Sequence, residues 1–285
     1  MQTITTIDEF RAARGRLAGT VALVPTMGAL HEAHLALVAR GKAIADHVAV
    51  SIFVNPTQFG PREDFNHYPR MLEADLQRCE EAGVELVFAP SVNEMYPPSV
   101  VDVQVTVPEL TKDLEGAARP GHFAGVCRVC AKLFNIVQPD VAVFGRKDYQ
   151  QLKVIEALVA DLAMPLRIEP VETRREPDGL AMSSRNQYLD KAARRHAVGL
   201  YKALQQAREL VGDEGEADPE AVERAMREVI EAHHMTVDYA VVRHPETLRP
   251  VDAIEPALTG GVVALVAAHL GEVHLIDNMV VGVGD

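Results

Sequence analysis

Val21-Ala22-Leu23-Val24-Pro25-Thr26-Met27-Gly28-Ala29-Leu30-His31-Glu32-Ala33-His34 is the stretch on which the reading turns. An apolar run of strand length, Val21 to Val24, is followed by a glycine-containing turn and then by an apolar-periodic segment, so the chain reads strand, turn, helix. His31 and His34 fall one helical turn apart at the helix start. The first amides of a helix lack intrahelical partners and carry the positive end of its dipole, and imidazoles at i and i+3 share a face. Such a turn can hold phosphate. Taken alone, a His-x-x-His pair is more often surface decoration or a satisfied core pair.

Working outward, the strand-helix alternation repeats. Apolar runs at Val21 to Val24, His47 to Phe53, Val84 to Phe88, Val141 to Phe144 and Leu166 to Val171 alternate with helical patterns near Leu35 to Ala45, Arg70 to Ala82, Phe123 to Val137 and Tyr149 to Leu162. This order predicts an α/β fold, a Rossmann-like parallel sheet covered by helices on both faces. Val101 to Val107, after Pro97-Pro98, reads as an irregular edge strand. From Lys191 the texture changes to two helical patterns, Ala192 to Val211 and Pro219 to His233, followed by strands at Val237 to Val242, Val262 to Ala268 and Val273 to Val280. The acidic stretch Gly212 to Asp218 reads as a solvated loop between the two helices. The expected division is a Rossmann-like nucleotide domain over 1–173 and a smaller α+β C-terminal lid domain over 174–285, with a hinge at Pro177 to Gly179.

The 285 residues carry 28 basic and 41 acidic side chains, a formal net charge of −13. That balance opposes broad attachment to nucleic acid or an anionic membrane, so any anion site must be local. The N-terminus lacks the plan of a secretory signal, and Val262 to Ala268 is too short to span a bilayer. A soluble, cytoplasmic protein is expected. Three cysteines argue against a disulfide framework. Cys127 and Cys130 form a Cys-x-x-Cys, but they fall in a helical pattern at core spacing, and Cys79 alone cannot complete a four-cysteine zinc site. Core packing is expected.

Two further motifs carry chemistry. Phe144-Gly145-Arg146-Lys147-Asp148-Tyr149-Gln150-Gln151 places Lys and Asp just past the end of an apolar strand, where open α/β sheets bind ligands. Asp178-Gly179-Leu180-Ala181-Met182-Ser183-Ser184-Arg185-Asn186 joins two hydroxyls to an arginine fork, donors suited to a triphosphate.

With these motifs in order, the sequence resembles the pantoate–β-alanine ligase family, within the nucleotidyl transferases that carry a His-x-Gly-His turn and a Lys-Met-Ser-Lys-Ser-type loop. The resemblance runs through Pro25 to His34, Ser51 to Phe59, Asp64 to Arg70, Gly121 to Val126, Phe144 to Gln151, Asp178 to Asn186 and Leu275 to Asn278. It implies ATP-dependent condensation of pantoate with β-alanine through a pantoyl adenylate, with Mg²⁺ on the nucleotide, and a homodimer. It assigns ATP to Met27, Gly28, Ala29, Leu30, His31, Glu32, Ala33 and His34, to Gly145, Arg146, Lys147 and Asp148, and to Arg174, Met182, Ser183, Ser184 and Arg185. By the same resemblance His34 is the catalytic donor at the α-phosphate, Lys147 meets phosphate, Asp148 the ribose, and Gln58 and Gln151 bind pantoate, with Asn55 and Tyr68 in the same matching stretch. Protein ligands for the metal and the protonation state of His34 stay open.

Three positions depart from the family pattern. Ala33 replaces the usual glycine, where a methyl could push the nucleotide outward. Arg146 stands where an acid is common, and Arg174 where an apolar residue is. Two other classes compete: an adenylyltransferase acting on a phosphate acceptor, against which the two glutamines count, and a non-catalytic nucleotide-binding module, motivated by Ala33.

Overall fold

The structure, a computed structural model, describes residues 1–61, 63–255 and 261–282. It separates into two compact units, the first formed by Met1–Arg146 with Gln150–Glu172, the second by Lys147–Tyr149 with Thr173–Asp285. The short Lys147–Tyr149 segment thus belongs with the C-terminal unit.

The first unit runs β1 (Gln2–Ile4), α1 (Ile7–Arg14), β2 (Val21–Thr26), α2 (Glu32–Ile44), β3 (His47–Ile52), α3 (Leu72–Glu81), β4 (Leu86–Phe88), α4 (Val92–Met95), α5 (Pro108–Thr111), α6 (Glu115–Ala118), α7 (His122–Val137), β5 (Val141–Gly145), α8 (Tyr149–Asp161) and β6 (Arg167–Val171). Its sheet has the order β1-β4-β3-β2-β5-β6, and every pairing is parallel. Alternation along each strand divides the core. Val21 and Leu23 of β2, with Phe88 and Phe144, pack against Phe10 of α1 and the apolar faces of α7 and α8. Ala22 and Val24, with Val48, Val50 and Val143, pack against Val38 of α2 and Cys79 of α3. Both faces of the sheet are therefore covered, as a parallel sheet requires.

One expectation is corrected here. Val101 to Val107 forms no strand. The sheet edges are β1, from an N-terminal segment not read as an element, and β6. Valine-rich alternation supplies strand propensity, but a strand also needs a free ladder beside it. The three thiols lie buried and unbridged in the two cores, and burial pushes Cys79 and Cys127 up to about 11. They are packing residues.

The second unit contains α9 (Lys191–Ala197), α10 (Gly199–Arg208), α11 (Pro219–Ala232) and an antiparallel sheet of β7 (Thr236–Arg243), β8 (Val262–Leu270) and β9 (Val273–Val281). Its core joins Leu200, Leu204, Val222, Met226 and Ile230 of α10 and α11 to Ala240, Val242, Val262, Ala264, Val266 and Val281 of the sheet. The single helix expected over Ala192 to Val211 is divided at Val198, and its end widens into a π-turn over Glu209–Asp213 closed by Glu214 N donating to Glu209 O at 3.1 Å. Gly199 opens α10 because the helix passes close to His233, whose Cβ would lie 2.7 Å from a β-carbon at 199. Among the described residues no helix is long and apolar enough to cross a membrane.

Candidate active site

The turn after β2 is held from below by a buried carboxylate. Gly28 and Ala29 both take left-handed backbone, φ +85° and +51°, which points successive amides to one side. Asp75 of α3, 1% exposed, accepts from Ala29 N at 2.9 Å and Leu30 N at 2.7 Å. A β-carbon on residue 28 would sit 2.9 Å from that carboxylate, so only glycine fits. Thr26 Oγ1 accepts from Gly28 N and donates to Ser51 O. Sequence reasoning missed Asp75. Its signal was an acid beside Leu76 and four residues before Cys79, on the apolar face of a helix.

His31 is the N-cap of α2 and its ring lies 4.2 Å, centroid to centroid, from that of His34. His31 N donates to His34 Nδ1 at 3.3 Å. A ring that accepts at Nδ1 is neutral and carries its proton on Nε2, so the donor of His34 is Nε2–H. Ala33 lies in the first turn of α2 and is absent from the positive-φ residues. Glycine is not needed there for conformation, and alanine favours the helix by about 1 kcal/mol.

Gln58 stands on the 3₁₀ turn Pro56–Gln58 after β3, buried, its orientation set by Asn55. Asn55 Nδ2 donates to Gln58 Oε1 at 2.9 Å and to Gly125 O at 3.2 Å, while its Oδ1 accepts from Thr57 and from the Tyr96 hydroxyl. With Oε1 engaged, Gln58 offers a ligand chiefly the two donors of Nε2. Its own carbonyl accepts from His122 Nδ1 at 2.8 Å; His122 Nε2 meets Arg119 at 3.1 Å, and Arg119 forks onto Glu63 at 2.8 and 3.0 Å. Burial alone would raise the Glu63 carboxyl, but Arg119 outweighs it and holds it below its ordinary range. Tyr68 is buried against the Phe59 ring. Gln151, in the first turn of α8, is partly exposed. Its neighbour Gln150 is structural, bonding the backbones of Leu110, Asp113 and Glu115.

Gly145 ends β5 with nothing within 4 Å of the place a β-carbon would take, so the strand end is open. Arg146 reaches the exposed Glu172 at 3.1 Å and is itself 37% exposed. In the C-terminal unit Lys147 Nζ lies 3.7 Å from Asp148 Oδ1, and the Lys147 carbonyl accepts from Asn278 Nδ2 at 2.7 Å. Arg175, not singled out from sequence, forks onto buried Asp277 at 2.5 and 3.0 Å and also donates to Gly179 O. Asn278 and Asp277 thus bind the Lys147 backbone and the 175–179 loop to β9, which gives the Leu275 to Asn278 resemblance a physical meaning.

The Arg174 carbonyl accepts from Met182 N at 2.9 Å, closing the loop, and its side chain is exposed. Ser183 caps the 3₁₀ turn Ser184–Tyr188, its Oγ accepting from Arg185 N at 3.2 Å, which leaves the hydroxyl proton to donate elsewhere. Asn186 ties the turn to Glu176 and to Ala181 O. The two units thus present separate sets of donors: the imidazoles of His31 and His34 in the first, lysine, hydroxyls and arginine in the second. Both sets suit a polyanion.

The pantoate-beta-alanine ligase family model matches residues 2–280. The pantothenate synthetase of Laribacter hongkongensis is 49% identical over 279 residues, covering 98% of this chain and 99% of that protein, and that of Chromobacterium violaceum is 50% identical over 279 residues, with the same coverage. The crystal structure of pantothenate synthetase from Thermus thermophilus superposes with a TM-score of 0.91 at 48% identity, covering 98% of this chain and 99% of that one. The Francisella tularensis pantoate-beta-alanine ligase, solved with beta-gamma ATP and beta-alanine, gives 0.80 at 32% identity, covering 98% and 97%. The chain belongs to the pantoate–β-alanine ligase family.

Proposed function

We propose that this chain condenses pantoate with β-alanine at the expense of ATP. A pantoate carboxylate oxygen attacks the α-phosphorus, the bond to the bridging oxygen breaks, and pyrophosphate leaves. The amine of β-alanine then attacks the acyl carbon of the adenylate, the acyl-oxygen bond breaks, and AMP leaves as the new amide loses a proton. Membership of the family is the observation that carries this reading, and the neutral His34 with its proton on Nε2 supports it.

In this reading His34 donates from Nε2 to an α-phosphate oxygen as charge builds there, and the turn from Met27 through Ala33, with His31, lies along the nucleotide. Lys147 offsets phosphate charge, Asp148 takes the ribose hydroxyls, and Ser183, Ser184 and Arg185 hold the leaving pyrophosphate, with Gly145, Arg146, Arg174 and Met182 as nucleotide contacts. Gln58 donates from Nε2 to pantoate and Gln151 completes that subsite. Mg²⁺, entering with the nucleotide, would supply charge neutralisation to its phosphates. A homodimer in the cytoplasm completes the proposal.

The test is pyrophosphate release from Mg-ATP with and without pantoate, before any β-alanine is added. Release that requires pantoate, followed by AMP once β-alanine arrives, is the expected outcome. ATP binding without release, in this chain and in Ala33→Gly alike, would overturn the reading in favour of a binding module.

A further inference from the structure

Asp238 lies in β7 where the ladder to β8 slips. Val237 pairs with Ala268 and Tyr239 with Ala267, which leaves Asp238 as the extra residue of a bulge. A bulge places two residues opposite one and re-aims a side chain. Here it turns the carboxylate toward the face that carries His269, which pairs with Thr236 on one side and with His274 of β9 on the other. The two imidazoles stack with centroids 4.7 Å apart. Asp238 Oδ2 lies 3.3 Å from His269 Nε2 and 3.1 Å from His274 Nε2, and one donor atom from each of the three residues falls within 4.8 Å of the other two.

We infer that Asp238, His269 and His274 form a binding site for a divalent transition-metal ion of the zinc class, apart from every residue given a part in the ligase reaction. Two ligands about 2.1 Å from one ion at the tetrahedral angle lie about 3.4 Å from each other, close to the spacings the carboxylate already makes with both rings. Two imidazoles and one carboxylate suit Zn²⁺, Co²⁺, Ni²⁺ or Cu²⁺, whereas Mg²⁺ seeks an all-oxygen shell. The side chains are 29%, 44% and 22% exposed, so an ion can enter and water can fill the fourth position. Each ligand comes from a different strand. One ion would therefore tie β7, β8 and β9 together at one end of the sheet.

Cobalt(II) titrated into the full-length protein reads the site directly through its visible absorption, with no recourse to catalysis. The expected result is one saturable equivalent, and a rise in melting temperature when Zn²⁺ replaces Co²⁺. Asp238→Asn and His274→Ala should each weaken Co²⁺ binding at least tenfold while keeping the parent's circular dichroism, and His31→Ala should leave it unchanged. Equal affinity in the parent and both cluster variants, or no saturable binding at millimolar Co²⁺, would overturn the assignment.

Discussion

The imidazole of His34 owes its protonation pattern to a backbone amide. Because His31 N points at Nδ1, a proton there would face another donor, and the ring is neutral with its proton on Nε2. His34→Ala removes that donor and keeps the helix. Adenylate formation, read as pantoate-dependent ATP–pyrophosphate exchange, should fall by about a hundredfold or more, the usual cost of a lost transition-state donor. Unchanged exchange would remove His34 from the reaction. Asp75 acts at the same scale, since its carboxylate fixes the two amides that follow Gly28.

Among the elements, α7 and the Pro56–Gln58 turn show how closely packing sets the place of Gln58, the residue proposed to meet pantoate. A β-carbon at Gly125 would fall 2.3 Å from Thr57 O and 2.6 Å from Gln58 N, both backbone atoms that cannot swing aside. Gly125→Ala gains about 1 kcal/mol of helix propensity but must push the turn away, an overpacking cost of about 1–3 kcal/mol. The net effect should be a lower urea midpoint together with a raised KM for pantoate at a nearly unchanged KM for ATP. A variant with a raised midpoint and native KM values would show that the turn yields freely. In the other unit, Gly199 at the start of α10 meets the same constraint, since a β-carbon there would fall 2.7 Å from His233 Cβ.

For the whole molecule, titration should set the limits of stability at both ends of the pH scale. Glu63 is held low by Arg119 against its burial, Glu169 by Arg40 and Arg167 against its burial, and Asp178 by Arg194. Each releases its proton more readily folded than unfolded, so its contribution is present above the ordinary values of 4.5 and 3.8 and is lost as pH falls below them. The buried thiols Cys79 and Cys127 act in the opposite direction. Burial raises them from 9.0 to about 11, so the unfolded chain ionises first and stability is lost as pH rises above 9. Urea midpoints should therefore form a plateau that falls below about pH 4.5 and again above about pH 9; a midpoint unchanged between pH 5 and 3 would contradict the acid limb.

The sequence by itself determined the layered sheet, because strand-length apolar runs alternating with helical periodicity bury both faces only one way. It also determined the local motifs, since His31 and His34 are neighbours through helix geometry alone and Ser183 to Arg185 through contiguity. What the tertiary structure decided are the groups brought together across long separations. Asp75 reaches the Gly28 turn from 45 residues away, Glu63, Arg119 and His122 converge on Gln58, and Arg175 finds Asp277. Edge pairing was likewise invisible, because local propensity does not say that the short segment Gln2–Ile4, and not the valine-rich stretch 101–107, lies beside β4. The bulge that turns Asp238 toward two histidines is a property of register, which no periodicity in the sequence encodes.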